Sequence, residues 1–140
     1  MRSATVQRET GETRIDLTLE LDGTGTLSGE TGIGFFDHML HALVKHARFD
    51  LSFTCAGDLH VDDHHSIEDL GICIGQAFHQ ALGDGRGITR FSHSYVPLDE
   101  ALCRTVVDIS GRGFLAFDSN YARSTIGAFS TEMVREFFKG

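Results

Sequence analysis

The chain has 140 residues, 41% of them apolar and 23% charged, with 20 acidic against 12 basic side chains and a net charge of -8. That length gives one domain with a sizeable core, and the acidic excess argues against a nucleic-acid or anionic-membrane surface. An anionic ligand would need a local basic site, and no apolar run has membrane-spanning or signal-peptide character, so a cytoplasmic protein is expected.

Thr13 to Leu21 alternates, with Ile15, Leu17, Leu19 and Leu21 on one side, which predicts a half-buried strand. Asp22-Gly23 is a turn signal, and Gly23 to Leu27 is expected to return as a second strand. A helix is predicted from about Phe36 to Ala47, with Met39, Leu40, Leu43, Val44 and Ala47 as its buried stripe. Phe49 to Cys55 alternates again and is a strand. A second helix runs to about Leu82, with Ile67, Leu70, Ile74, Ala77, Phe78 and Ala81 toward the core, and the glycine-rich Gly83 to Gly87 ends it. The single proline, Pro97, takes a loop or edge position before an apolar run from Ala101 to Ile109. Gly111-Arg112-Gly113 is a turn, Phe114 to Phe117 continues as strand, and Phe129 to Phe138 opens one more helix. Cys55, Cys73 and Cys103 are odd in number and widely spaced, and read as buried free thiols of a reducing compartment.

The segment Asp62-Asp63-His64-His65-Ser66-Ile67-Glu68-Asp69 carries the densest chemistry. With a helix starting near Ser66, His64 and Glu68 share one side, while His65 faces Glu68 and Asp69. Imidazole nitrogen with carboxylate oxygen suits a borderline divalent cation such as Mn, Fe, Co or Zn. The competing reading is a solvated helix start, with Asp63 or Ser66 as cap and Glu68 and Asp69 complementing the helix dipole. A metal-dependent hydrolase is disfavoured, because no HExxH and no aspartate-rich dimetal pattern beyond Asp62-Asp63 occurs.

A weak repeat aligns Leu21 to Gly25 with Ile109 to Gly113, and Gly34-Phe35-Phe36 with Glu136-Phe137-Phe138. The chain therefore reads as one β-β-α-β-α half-domain, residues 1–100 with the His-His-x-x-Glu motif and the loop after it, followed by the start of a second half-domain, residues 101–140. The second half is expected to be truncated, since its own motif-bearing helix is absent.

The stretches Arg8 to Thr13, Gly32 to Leu40, Gly57 to Asp69, Gly87 to Phe91, Val96 to Leu102 and Asp108 to Arg112 resemble imidazoleglycerol-phosphate dehydratase of histidine biosynthesis. The resemblance implies an α+β fold of duplicated β-β-α-β-α half-domains (ribosomal protein S5 domain 2-like), with helices on one face of the sheet. It implies dehydration of D-erythro-imidazole-glycerol phosphate to imidazole acetol phosphate through a metal-bound imidazolate. It implies Mn2+, two ions per complete site, with Fe2+ or another divalent cation as the alternative. His38, His64, His65 and Glu68 match metal ligands. Glu12, His38, His46, His64, Glu68, Arg90 and Arg112 match substrate-binding positions, the arginines at the phosphate end. Glu12 and Glu68 match catalytic positions, with Glu12 as the leading candidate to move protons. Asp99 matches an acid of undefined role. His41, His60, His79 and His93 are expected at the surface or behind the site. The expected partners are an imidazole phosphate substrate and further copies of the chain, a 24-mer in the family or a trimer for a truncated form. Neither nucleic acid nor membrane is expected. The alternative function is a non-catalytic assembly unit with weak or no metal binding.

Overall fold

Alternation in the sequence sets the first sheet. A computed structural model describes residues 1–140 and gives two compact units, Met1–Gly83 with Ala116–Gly140, and Asp84–Leu115. In the first unit β1 (Ser3–Glu9), β2 (Thr13–Glu20), β3 (Leu27–Ser28) and β4 (Asp50–Gly57) form a sheet in the order β1-β2-β4-β3. On β2, Thr13, Ile15, Leu17 and Leu19 are buried while Arg14 and Thr18 face solvent. Each fully buried Ile or Leu of this row contributes about 1.5–3 kcal/mol. Leu51 and Phe53 of β4 extend the same face.

Two helices cover that face. α1 (Gly34–Ala47) ends where Arg48 turns left-handed at φ 61° and its amide donates to Val44 O. α2 (His64–Leu82) packs against β1, β2 and β4 through Ile67, Leu70, Ile74 and Ala77. α3 (Met133–Lys139) lies against α2, where Gly71 is required: a Cβ there would meet the Phe137 carbonyl oxygen at 2.5 Å. β7 (Thr125–Ile126) and β8 (Phe129–Ser130) make a short hairpin before α3, and Phe129 stacks on Phe36 at 6.1 Å between ring centres. The second unit is a two-stranded antiparallel hairpin of β5 (Phe91–Leu98) and β6 (Ala101–Asp108), turning at Asp99, which takes φ 48°. Residue 100, the expected half-domain boundary, falls in this turn. No helix is long and apolar enough to cross a membrane.

The architecture is the α+β class expected from the sequence, with helices on one face of the four-stranded sheet. Several local expectations are corrected. Gly23 to Leu27 does not return beside β2. The Asp50 carboxylate accepts the amides of Thr24, Gly25 and Thr26 at 2.8, 3.0 and 2.8 Å, which bends the segment, and only Leu27 and Ser28 then pair, in parallel, with β4. The antiparallel partner of β2 on that side is β1. The buried row of α1 is Phe36, Leu40 and Val44; Met39 and Leu43, 39% and 38% exposed, instead line an open apolar groove of about 370 Å³ that also touches Phe35, Tyr121 and Phe138. Ala47 is exposed. Phe114 to Phe117 forms no strand, and the last helix starts at Met133, with Phe129 in β8. Pro97 keeps its expected edge position, in β5 of the two-stranded hairpin. Cys73 is buried and Cys55 half-buried, but Cys103 is exposed, because β6 is solvated along its length.

Candidate metal and substrate site

The site is built at the head of α2. Asp63 takes the N-cap position without a capping side-chain bond, while the Asp62 carboxylate accepts the His64 amide at 2.9 Å. Gly57, the last residue of β4, lets the helix approach this closely: a Cβ there would lie 2.0 Å from Ser66 Oγ. The Asp63 carboxylate reaches the other way and accepts both the backbone N–H and the hydroxyl of Ser130.

From this start the helix pitch brings His64 Nε2 to 3.4 Å from Glu68 Oε2, an i, i+4 pair half open to solvent. The His64 and His65 rings diverge, with centres 5.8 Å apart and planes at 64°. His65 does not pair with Asp69 as the helical spacing suggested. Its Nδ1–H donates to Asp58 Oδ2 at 2.9 Å, and Asp69 turns inward to Arg8 and Thr13. The bond to Asp58 pushes the His65 pKa above its ordinary value, with smaller contributions in the same direction from the charges of Asp58, Glu12 and Asp62. Glu12 sits exposed in the turn between β1 and β2, its amide bonded to Thr10 Oγ1 at 3.1 Å.

These donors fit part of a cation site. His64 and Glu68 present nitrogen and oxygen side by side. Asp58 fixes His65 through Nδ1 and leaves Nε2 free, the carboxylate–histidine arrangement that orients ligating imidazoles. No three His, Cys, Asp or Glu side chains in the chain converge as a complete ligand group. His38 lies exposed in the first turn of α1 and joins no such group. Its neighbour Asp37 is engaged elsewhere, accepting from the Thr31 amide and hydroxyl at 2.8 and 2.7 Å and from the Gly32 amide at 3.2 Å. His46 is exposed in the last turn of α1, and His41, His60, His79 and His93 are also exposed. Burial pushes the Cys55 and Cys73 thiols up to about 11, which keeps them protonated in the metal-free protein.

Arg90 and Arg112 belong to the second unit. Arg90 grips Asp108 in a two-point fork, Nε to Oδ1 at 2.7 Å and Nη2 to Oδ2 at 3.3 Å, and its guanidinium lies 4.8 Å from the Phe91 ring centre. The contact holds the Asp108 carboxyl below its usual range. Arg112 is exposed in the turn where Gly111 takes φ 76°, its amide bonded to Ser110 Oγ at 3.3 Å. Arg112 thus presents a free guanidinium, whereas that of Arg90 is already engaged.

Asp58, Asp63 and the Arg8–Asp69–Thr13 cluster carry no signal of helical or strand period that names their partners. Asp58 is seven residues from His65, and Asp63 is 67 from Ser130. Only the paired acids flanking the double histidine hinted at them.

The imidazoleglycerol-phosphate dehydratase family model matches residues 31–140. The enzyme of that name from Aminomonas aminovorus is 54% identical over 140 residues, covering 100% of this chain and 72% of the relative. The one from Xanthobacter autotrophicus is 58% identical over 139 residues, covering 99% of this chain and 71% of the relative. The crystal structure of the dehydratase from Staphylococcus aureus superposes with a TM-score of 0.82 at 35% identity, over 98% of this chain and 75% of that one. The Pyrococcus furiosus structure gives 0.79 at 30% identity, over 96% and 70%. With a family model spanning most of its residues and relatives above half identity along its whole length, the chain belongs to the imidazoleglycerol-phosphate dehydratase family of carbon–oxygen lyases.

Proposed function

We propose that this chain removes water from D-erythro-imidazole-glycerol phosphate to give imidazole acetol phosphate, in the cytoplasm, as a manganese-dependent homo-oligomer. Family membership places the reaction in histidine biosynthesis. The observation that supports the metal-dependent reading is the His64–Glu68 pair at 3.4 Å beside a His65 ring oriented by Asp58. His64, His65 and Glu68 would hold a divalent cation, Mn2+ by preference with Fe2+ as the alternative, and His38 would add a ligand where chains meet. When bound, the cation supplies a Lewis acid for the substrate's ring nitrogen. The hydrogen to be lost sits on a carbon with no neighbouring carbonyl, so electron demand has to come from the ring.

The chain's own residues do the rest. Glu12, exposed and unencumbered by ion pairs, takes the proton from carbon and returns one to the departing hydroxyl. Arg112 receives the phosphate with two guanidinium N–H groups, and Arg90 joins it by exchanging the Asp108 carboxylate for phosphate oxygen. His46 lines the substrate side at the end of α1.

A second reading, a non-catalytic assembly unit with weak or no metal binding, draws on one observation: no complete ligand group forms within a single chain. Turnover with and without added manganese, together with metal content and assembly mass, separates the two. The catalytic reading expects a manganese-loaded large assembly with activity, and loss of bound manganese in His64→Ala and His65→Ala. A metal-free trimer without turnover supports the second reading.

A further inference from the structure

We propose that Asp69 and Thr13 are positioning residues that hold the turn bearing Glu12 at a fixed place against the His64–Glu68 head of α2. The inference rests on the reading of Glu12 as the proton carrier and names what aims it. Asp69 follows Glu68 directly but points the opposite way, into the protein, where it is 6% exposed. One carboxylate oxygen takes Arg8 Nη2 at 2.9 Å, and the other accepts the Thr13 hydroxyl. Arg8 is the penultimate residue of β1 and Thr13 begins β2, so one buried carboxylate grips both strands near the turn that joins them.

The turn itself is closed tightly. The Thr10 amide donates to Thr13 O at 2.9 Å, and the Thr10 hydroxyl accepts the amides of Glu12 and Thr13 at 3.1 and 3.0 Å. Glu12 is thus an exposed member, with Gly11, of a four-residue turn whose base is fastened to α2. A buried charge satisfied by Arg8 alone would leave that loop free to slide along the helix; the Thr13 hydroxyl supplies the direction. Displacement of a reacting group by about 1 Å can cost about 100-fold in rate.

The test uses the full chain with Thr13→Val and Thr13→Ser, each alone and combined with Glu12→Gln. Thr13→Val is expected to lower kcat about tenfold with KM and manganese content near parent values, and Thr13→Ser to restore it. In the Glu12→Gln background Thr13→Val should cost less than about twofold, because the group being aimed is gone. An equal loss in both backgrounds, or none in either, overturns the clamp. A parent-like Glu12→Gln overturns the proton-carrier reading instead. In the metal-free protein, amide hydrogen exchange at Glu12 and Thr13 should quicken about tenfold in Thr13→Val while α2 amides stay unchanged; unaltered exchange overturns the clamp whatever the turnover. Should Thr13→Val not fold, Thr13→Ala carries the same measurements.

Discussion

Asp63 and Ser130 are joined by two hydrogen bonds across 67 residues of sequence: one carboxylate oxygen accepts the serine amide, and the other accepts its hydroxyl at 3.0 Å. Asp63 is 7% exposed, so neither bond is exchanged cheaply for water. The pair fastens β8 to the residue that starts α2. Asp63→Ala is expected to lower unfolding free energy by about 2–3 kcal/mol, since bonds to a charged acceptor are worth about 1.5–3 kcal/mol each and a truncated site regains part of that from solvent. Urea unfolding of variant and parent measures it; a difference below about 0.5 kcal/mol would show the contact to be idle.

Gly57 and Ser66 make a second close approach with a different sign. A methyl group on Gly57 would sit 2.0 Å from Ser66 Oγ and 3.2 Å from its Cβ. Gly57→Ala is therefore expected to cost about 1–3 kcal/mol through overpacking and to push the head of α2 off the sheet. Ser66 Oγ is buried with no hydrogen-bond partner, so Ser66→Ala alone should be neutral or slightly stabilising. The double variant should recover most of the loss. Additive effects of the two substitutions in thermal unfolding would contradict this geometry.

The Asp58 bond to His65 predicts a pH response in the metal-free protein. Its folded pKa is raised above the ordinary 6.5, so the pair stabilises the fold fully below that value and loses its contribution as pH rises through the folded pKa. Proton NMR of the His65 ring should give a midpoint above 6.5 in the parent and a lower one in Asp58→Asn. The stability gap between the two proteins should narrow as pH rises above 6.5 and through the folded pKa. A midpoint unchanged by the substitution would remove Asp58 as the cause.

How much of this was legible in the sequence depends on whether a signal is periodic. β2 could be read outright because Ile15, Leu17 and Leu19 alternate with polar residues, and the i, i+4 placement of His64 and Glu68 followed from helix pitch. β1 was not, since only Val6 of its seven residues is buried. β5 escaped for the same reason: it is exposed throughout, and its residues carry no inward face to betray a strand. Met39 and Leu43 fit an apolar stripe as well as Leu40 and Val44 do; the choice between adjacent rows is made by which one meets the sheet. The path of residues 24–26 hangs on the side chain of Asp50, about twenty-five positions away. Within the site, helical spacing offered Asp69 to His65, but that carboxylate turns inward to the partly buried Arg8 guanidinium and His65 takes Asp58 instead. Family resemblance supplied Glu12, His46, Arg90 and Arg112, whose types alone would have marked them as ordinary surface charges.

The β5–β6 ribbon has a practical corollary for anyone handling the protein. Both long margins present main-chain donors and acceptors with no neighbouring strand, and Phe91, Leu98, Leu102 and Val106 stand 65%, 74%, 66% and 72% exposed along it. Two-stranded ribbons with sticky, open margins recruit a third strand from whatever is nearby. Concentrated samples will therefore tend to self-associate by margin-to-margin addition, and a lysine introduced at Val106 should keep them clear.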